Sequence, residues 1–184
     1  MAVQACDEPV ERLNLALVHA IEGWRFEPVV KALLALRGID SVSAIGLVAE
    51  IGDISRFDHP RKLMGYLGLV PSERSSGERI NKGPITKSGN SHARRLLTEA
   101  AWSYRFKPRI GYKAQKPQEK LQEDLRCTAW KAQLRLCDRF AKLHARGVTV
   151  NKVCVAVARE LAGFVWALAQ DSTLRSGPVN QSTQ

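Results

Sequence analysis

The segment from residue 150 to residue 170 constrains the fold more than any other part of the chain. It reads VNKVCVAVARELAGFVWALAQ and is apolar almost all round when drawn as a helix. A helix of this kind must be covered on every side, so we expect it at the centre of a helical bundle. Arg159 and Glu160 interrupt its most apolar stretch, which favours a core helix over a membrane span.

A helical period of apolar residues recurs along most of the remaining sequence, divided by glycine and proline. It predicts helices over 10–22, 28–37, 43–51, 60–67, 92–105 and 118–145. Residues 68–91 break the pattern with four glycines, two prolines and five serines. We therefore predict an all-α, multi-helix domain with a long irregular basic loop and a long C-terminal helical hairpin. The apolar side of its penultimate helix is predicted to comprise Leu121, Leu125, Trp130, Leu134, Cys137, Phe140 and Ala141.

The positive charge of the chain is concentrated in one stretch. Lysine and arginine number 28 against 18 acidic residues, for a net charge of +10. Residues 74–116 alone carry 11 basic and 2 acidic residues, whereas residues 1–73 carry 7 basic and 10 acidic residues. Clustering of this kind indicates an anion-binding surface rather than general solubility charge. Basic proteins that bind no nucleic acid are the alternative.

The cysteines and the termini point to an intracellular protein. Cys6, Cys127, Cys137 and Cys154 show no CxxC spacing and no histidine at the distance of a zinc ligand. We interpret them as small core residues in a reducing compartment, with Cys127 and Cys137 on one long helix. No basic segment followed by an apolar run opens the chain. The expected location is the cytoplasm, without membrane contact.

Residues 33–51 suggest a first phosphate-binding element. A helix, the turn Gly38-Ile39-Asp40 and a second helix with a small-residue start resemble a helix-hairpin-helix unit. Backbone N–H groups at such a helix start favour an anion. Asp40 stands where a second glycine is usual and would repel phosphate. An ordinary helical corner is the alternative.

The stretch 74–95, RSSGERINKGPITKSGNSHARR, is the stronger candidate site. Ser75 and Ser76 precede Gly77, where the backbone can turn sharply and expose a hydroxyl. Cations surround them, and a helix start follows, with Asn90 or Ser91 as its N-cap. These features predict a phosphate cradle containing a hydroxyl, although Ser-Ser-Gly is also ordinary loop sequence. The predicted nucleic-acid-binding residues are Arg74, Arg79, Lys82, Thr86, Lys87, Asn90, Arg94 and Arg95.

Three segments of the chain resemble one protein family. They read GIDSVSAIGLVAEIGDISRF (38–57), LMGYLGLVPSERSSG (63–77) and ITKSGNSHARRLLTEAA (85–101), and a weaker likeness continues over 145–168. In this order and spacing they resemble the C-terminal domain of the insertion-sequence transposases of the one-ten family, also described as bridge-RNA-guided or DEDD transposases.

The resemblance implies a catalytic residue and partners. The serine directly before the glycine is the family's nucleophile, which makes Ser76 the expected catalytic residue and Ser75 a substitute. The resemblance also implies residues that position DNA or balance its charge, namely Ile85-Thr86-Lys87, Gly89-Asn90 and Arg94. The implied partners are DNA, a non-coding guide RNA and further copies of the chain.

The resemblance also implies a metal-binding domain that this sequence does not match. The family's N-terminal RuvC-like domain holds Mg²⁺ with four acidic residues, and nothing before residue 38 resembles it. We expect no cofactor and no metal ligand in this chain, and Mg²⁺ in a RuvC-like partner domain. The expected organisation is a helical lead-in over 1–37, a serine domain over 38–171 and a disordered tail over 172–184.

Two functions remain open at this point. In the first, the chain is the serine-bearing part of a transposase or recombinase and acts when it is paired with a RuvC-like domain. In the second, it is a non-catalytic nucleic-acid-binding remnant that regulates a full-length transposase. Whether the chain is an enzyme by itself is left undecided by the sequence.

Overall fold

A computed structural model describes the backbone of residues 2–76, 79–109, 119 and 121–175, and their side chains except those of 2–8, 74–76, 79–82 and 172–175. Seven α-helices and one β-hairpin lie in this part of the chain, which confirms the all-α class. The elements are α1 (Ala2–Ala20), α2 (Glu27–Leu33), α3 (Ser41–Ile51), α4 (Pro60–Tyr66), β1 (Pro71–Ser76), β2 (Arg79–Ile85), α5 (Ser91–Ala101), α6 (Glu123–Ala145) and α7 (Val150–Arg175). Short 3-10 turns cover Ile54–Arg56 and Trp102–Arg105.

Helix α7 is the centre of the fold, as its all-round apolar sequence predicts. It contacts α2, α4, α5, α6 and the turn Ile54–Arg56, and Val153, Leu161 and Leu168 are fully buried. Val150–Asp171 is long and apolar enough to cross a membrane, but half of it is buried inside the protein. These contacts are those of a core helix.

Helices α6 and α7 form the predicted C-terminal helical hairpin. Gly147 closes α6 with a φ of 76°, as a glycine directly after a helix commonly does. Glu160 of α7 pairs with Arg135 and Arg139 of α6 at 2.9 and 3.1 Å. Helix α7 continues to Arg175, four residues past the predicted domain boundary at 171, and residues 176–184 lie outside the described residues.

The predicted apolar face of α6 is only partly correct. Leu125, Cys137 and Phe140 are buried, but Trp130 is 39% and Leu134 44% exposed, and Ala141 is exposed too. The buried strip contains Ala129, Ala132 and Leu136 instead. An apolar side chain is buried only where a neighbouring element covers it. The hydropathy of α6 does not show against which of its sides α7 packs.

The N-terminal helices differ from the prediction in their boundaries and exposure. Helix α1 begins before residue 10 and contains Pro9. Leu13 and Leu17, which lie one helical turn apart and whose period helped to predict this helix, are 62% and 38% exposed. The predicted helix 28–37 ends at Leu33.

The predicted irregular loop 68–91 is in fact built around an antiparallel β-hairpin, so this prediction was wrong. Pro71 pairs with Ile85 at one end and Ser76 with Arg79 at the other, with an irregularity between Pro71 and Glu73. A strand is recognisable in a sequence when one face is buried and apolar residues alternate. Glu73, Gly83 and Pro84 are exposed, and no such alternation is present.

The cysteines are only partly as predicted. Cys127 and Cys137 do share α6, and Cys137 and Cys154 are buried and free. Cys127 is exposed, so its prediction as a core residue was wrong. Cys6 lies outside the residues whose side chains are described.

Candidate nucleic-acid interface around the serine hairpin

The hairpin Pro71–Ile85, here called the serine hairpin, brings the predicted catalytic serines to its far end. Ser75 pairs with Ile80 and Ser76 with Arg79, which are the last two pairs before residues 77 and 78. Ser76 is five residue steps along the strand from Pro71, so it lies about 16 Å from the base of the hairpin. The backbones of Arg74, Asn81 and Lys82 also lie in this ladder. The fold therefore gathers Arg74, Ser75, Ser76, Arg79 and Lys82 into one projecting element, and their side chains are outside the described residues.

The base of the serine hairpin is a backbone-to-backbone contact made by two glycines. Residues 86–89 pack against residues 66–70, with Thr86 N–H donating to Val70 O at 2.9 Å and Lys87 N–H to Gly68 O at 3.1 Å. A Cβ on Gly89 would overlap the Tyr66 carbonyl oxygen, and one on Gly68 the Ser88 carbonyl oxygen. Both glycines also have positive φ, 88° and 64°. We call this contact the glycine clasp; it fixes where the serine hairpin leaves the helical bundle.

Thr86 and Lys87 lie within the glycine clasp. The Thr86 hydroxyl oxygen accepts a hydrogen bond from Ser88 at 3.0 Å. Lys87 is exposed and has a φ of 56°, a conformation that costs a non-glycine residue about 1–2 kcal/mol. An unfavourable backbone held in place by its surroundings is common at functional sites. The position of Lys87 is compatible with its predicted contact to phosphate, which stays a prediction.

Asn90 is one of the two predicted N-caps, and both Asn90 and Arg94 also make contacts inside the protein that the sequence did not suggest. Arg94 Nη1 donates to Leu67 O at 2.9 Å and to Ser88 O at 3.5 Å, and so joins both sides of the glycine clasp. Asn90 Oδ1 accepts from Ala93 N–H at 2.8 Å and is the N-cap of α5, while Asn90 Nδ2 donates to Glu50 Oε2 at 2.6 Å. These contacts explain both residues structurally. Their predicted contact with nucleic acid remains untested.

Arg95, the last predicted binding residue, lies on the outer side of α5. Its Nε is 3.5 Å from Glu99 Oε1, and both side chains are more than half exposed. An exposed pair of this kind contributes little to stability. Arg95 is therefore available to an external anion at small cost.

At the corner between α2 and α3, Asp40 is the N-cap of α3. Its carboxylate accepts from Ser43 N–H at 2.8 Å and caps α3. A carboxylate at that point occupies the position that a phosphate would take at the helix start. A capped helical corner accounts for these contacts, and the helix-hairpin-helix interpretation stays a prediction.

The residues that could activate a serine or bind a metal lie elsewhere or are engaged. His59 Nδ1 accepts from Arg61 N–H at 3.1 Å and caps α4, and the neighbouring Asp58 pairs with Lys62 at 2.7 Å. His92 is exposed in the first turn of α5. Within the described residues no three histidine, cysteine or acidic side chains cluster as metal ligands would.

Groups with raised pKa values lie in the core. Burial raises the pKa of the Tyr104 hydroxyl and of the Cys137 and Cys154 thiols, so none of the three is activated as a nucleophile. Tyr104 is 1% exposed, whereas Trp102, two residues earlier, is 37% exposed. Of these two aromatic residues, only Trp102 could stack on a base.

The sequence is similar to known transposases. Residues 30–114 match the Transposase IS116/IS110/IS902 family. The chain is 49% identical over 162 residues to the putative transposase y4qE of Sinorhizobium fredii, with 88% of this chain and 42% of the relative covered. It is 28% identical over 171 residues to a probable family 20 transposase of Pseudomonas aeruginosa, with 93% and 43% covered. With the transposase for insertion sequence element IS1111A of Coxiella burnetii, the identity is 29% over 144 residues, with 78% and 34% covered.

The matched residues include the serine hairpin, the glycine clasp and the start of α5. The chain spans less than half the length of these three relatives. The alignments to the first two extend well beyond the family match, which ends at residue 114. Residues 30–114 are therefore a transposase domain of the IS116/IS110/IS902 family.

Proposed function

We propose that this chain is the serine-bearing part of a DNA transposase, with Ser76 as the nucleophile for strand exchange. The observation that carries the proposal is the place of Ser76 at the last pair before the hairpin tip, opposite Arg79, within the matched transposase domain. A hydroxyl at the end of a projecting hairpin can reach a phosphodiester that stays outside the bundle. Ser75, the neighbouring residue, is the alternative assignment of the nucleophile.

The proposed chemistry is a phosphoryl transfer. The Ser76 oxygen forms a bond to phosphorus, the bond from phosphorus to one bridging oxygen of the DNA breaks, and the serine proton passes to a base. The departing oxygen takes up a proton and becomes a free hydroxyl. A serine hydroxyl is a weak nucleophile, so charge stabilisation of the phosphoryl oxygens has to supply much of the rate. Arg74, Arg79, Lys82 and Lys87 are proposed for this role.

The remaining parts of the machinery are proposed by resemblance. A RuvC-like domain, in the same or another polypeptide, would hold Mg²⁺. A non-coding guide RNA would select the DNA, and several copies of the chain would act together.

The glycine clasp and Arg94 would keep the serine hairpin at a fixed angle to the bundle while these partners bind.

Replacement of each serine tests the proposal. In a reaction supplemented with a RuvC-like domain, the parent chain should form a protein–DNA adduct that survives denaturation by detergent. Ser76→Ala should lower the adduct yield at least about 100-fold, as loss of a nucleophile commonly does. Ser75→Ala, one residue away in the same strand, is the matched control and should retain most of the yield. Adduct formation by Ser76→Ala at the parent level would exclude Ser76 as the nucleophile.

A regulatory, non-catalytic function is the second candidate, favoured by the concentration of positive charge in residues 74–116. Such a protein would bind nucleic acid with an affinity that falls steeply with salt, about 0.9 in the log–log slope for each neutralised duplex phosphate. Binding unchanged by Ser76→Ala, together with no adduct under any reconstitution, would favour this function. An affinity that is indifferent to salt would contradict both candidates.

A further inference from the structure

A groove of about 680 Å³ runs between the base of the serine hairpin and helix α7. Leu69, Pro71 and Ile85 line one side, and Val155, Lys152 and Arg159 of α7 are among the residues on the other. Leu69 is buried, and Val155 and Ile85 are half-buried parts of the apolar core. The groove therefore has an apolar floor and a cationic wall.

The two cations of this wall are not neutralised within the described part of the protein. Neither Lys152 nor Arg159 forms an ion pair with a described residue, whereas Glu160 beside them is held by Arg135 and Arg139. The groove lining includes no acidic residue among those described. Two unpaired cations along a groove attract an anion with more than one charge.

The spacing of Lys152 and Arg159 fits a polymer. Seven helical residues make almost two turns, so the two side chains leave the same face of α7 about 10 Å apart. Phosphates of successive nucleotides are close together along a strand, about 3.4 Å apart in axial rise in a duplex, so two cations that leave α7 at this spacing can contact phosphates of different nucleotides.

The apolar floor distinguishes an unpaired strand from a duplex. A duplex keeps its base faces stacked inside, and it presents mainly sugar and phosphate. An unpaired strand exposes base faces, whose apolar surface can be removed from water against the aliphatic floor of the groove, while its backbone follows the cations.

We propose that this groove binds an unpaired DNA strand next to the phosphodiester attacked at the serine hairpin, with Lys152 and Arg159 contacting its phosphates. The proposal rests on the proposed function, because the groove begins at the base of the hairpin that carries Ser76. It adds two phosphate contacts, Lys152 and Arg159, from a helix that lies beyond the family match at residues 30–114.

The test is a binding measurement with the full chain. A fluorescein-labelled single-stranded DNA oligonucleotide of mixed sequence is titrated at several salt concentrations, in parallel with the same sequence as a duplex and as RNA. The double variant Lys152→Gln, Arg159→Gln should weaken single-strand binding at least about ten-fold and lower the salt slope by about 1.4, which is about 0.7 for each lost phosphate contact. Duplex binding should change less.

Two further variants separate the groove from net charge. Arg126→Gln with Lys131→Gln removes the same charge from exposed positions on α6 and should change the affinity less than about two-fold. Ala156 also lines the groove, so Ala156→Phe fills it without a change of charge and should weaken the binding of the single strand but not that of the duplex. Thermal unfolding followed by circular dichroism confirms that each variant is folded.

Several results would overturn the inference. These are equal losses in the two charge variants, no effect of Ala156→Phe in a folded protein, or a loss confined to RNA. Loss of self-association in light scattering with unchanged DNA binding would make the groove a protein interface instead. Because none of these measurements uses the adduct assay, the groove and the Ser76 nucleophile can fail independently.

Discussion

At the scale of single residues, the structure shows a structural role for a side chain that the sequence suggests only as a phosphate ligand. Arg94 joins two backbone carbonyls across the glycine clasp, and Gly68 and Gly89 are the residues that allow the two segments to touch. A side chain that positions the serine hairpin can influence DNA binding without touching DNA. We therefore expect substitutions at these residues to lower the free energy of unfolding more than the affinity for DNA.

Gly89→Ala tests the glycine clasp. The new Cβ would overlap the Tyr66 carbonyl oxygen at a φ of 88°, which combines a left-handed backbone with overpacking. We expect a loss of about 3 kcal/mol in the free energy of unfolding, measured by urea denaturation. Gly147→Ala is the matched control, because its φ is 76° and nothing lies within 4 Å of the new Cβ; its loss should be about 1 kcal/mol. Equal losses would show that the backbone contact contributes nothing.

At the scale of elements, the start of α5 links the serine hairpin to the bundle. Asn90 follows the clasp directly, caps α5 and binds Glu50 of α3. One side chain thereby fixes the direction of α5 relative to a second helix. The sequence left Asn90 and Ser91 as alternative N-caps, and the structure selects Asn90.

Asn90→Ala should lower the free energy of unfolding by about 2 kcal/mol, from the lost cap and the lost hydrogen bond to a carboxylate. Ser91→Ala, one residue later and exposed, should change it by less than about 0.5 kcal/mol. Chemical denaturation measured on both variants gives the comparison. A larger loss for Ser91→Ala would mean that the cap assignment is wrong.

At the scale of the whole molecule, stability depends on helix α7. It contacts four other helices, and Trp166 Nε1 of this helix also donates to Phe57 O across 109 residues of sequence at 2.5 Å. The same helix forms one wall of the proposed DNA groove. The core and the binding surface therefore share one rigid element.

Leu161→Ala should remove about 3 kcal/mol from the free energy of unfolding, because Leu161 is fully buried in α7. Leu134→Ala makes the same chemical change at a position that is 44% exposed, and should cost less than about 1 kcal/mol. The difference in thermal midpoint between the two variants measures how much of the core is built around α7. Similar midpoints would contradict a central α7.

The sequence alone was enough to predict the helical class, the central position of α7 and the concentration of positive charge in residues 74–116. Each of these follows from local chemistry: a 3.6-residue apolar period, an apolar helix that must be covered on all sides, and 11 cations within 43 residues. The resemblance of residues 38–101 to a transposase domain is likewise a property of the sequence.

Three features could be seen only in the tertiary structure: the presence of the serine hairpin, the contact that forms the glycine clasp, and which side of α6 is exposed. A hairpin with no fully buried residue among those described leaves no alternating apolar pattern. The roles of Gly68, Gly89 and Arg94 depend on a segment twenty or more residues away in the sequence. Trp130 and Leu134 are exposed because α7 packs against a different strip of α6. Periodicity records how a helix could be buried, whereas the direction from which a neighbour approaches is set by the packing of the whole chain.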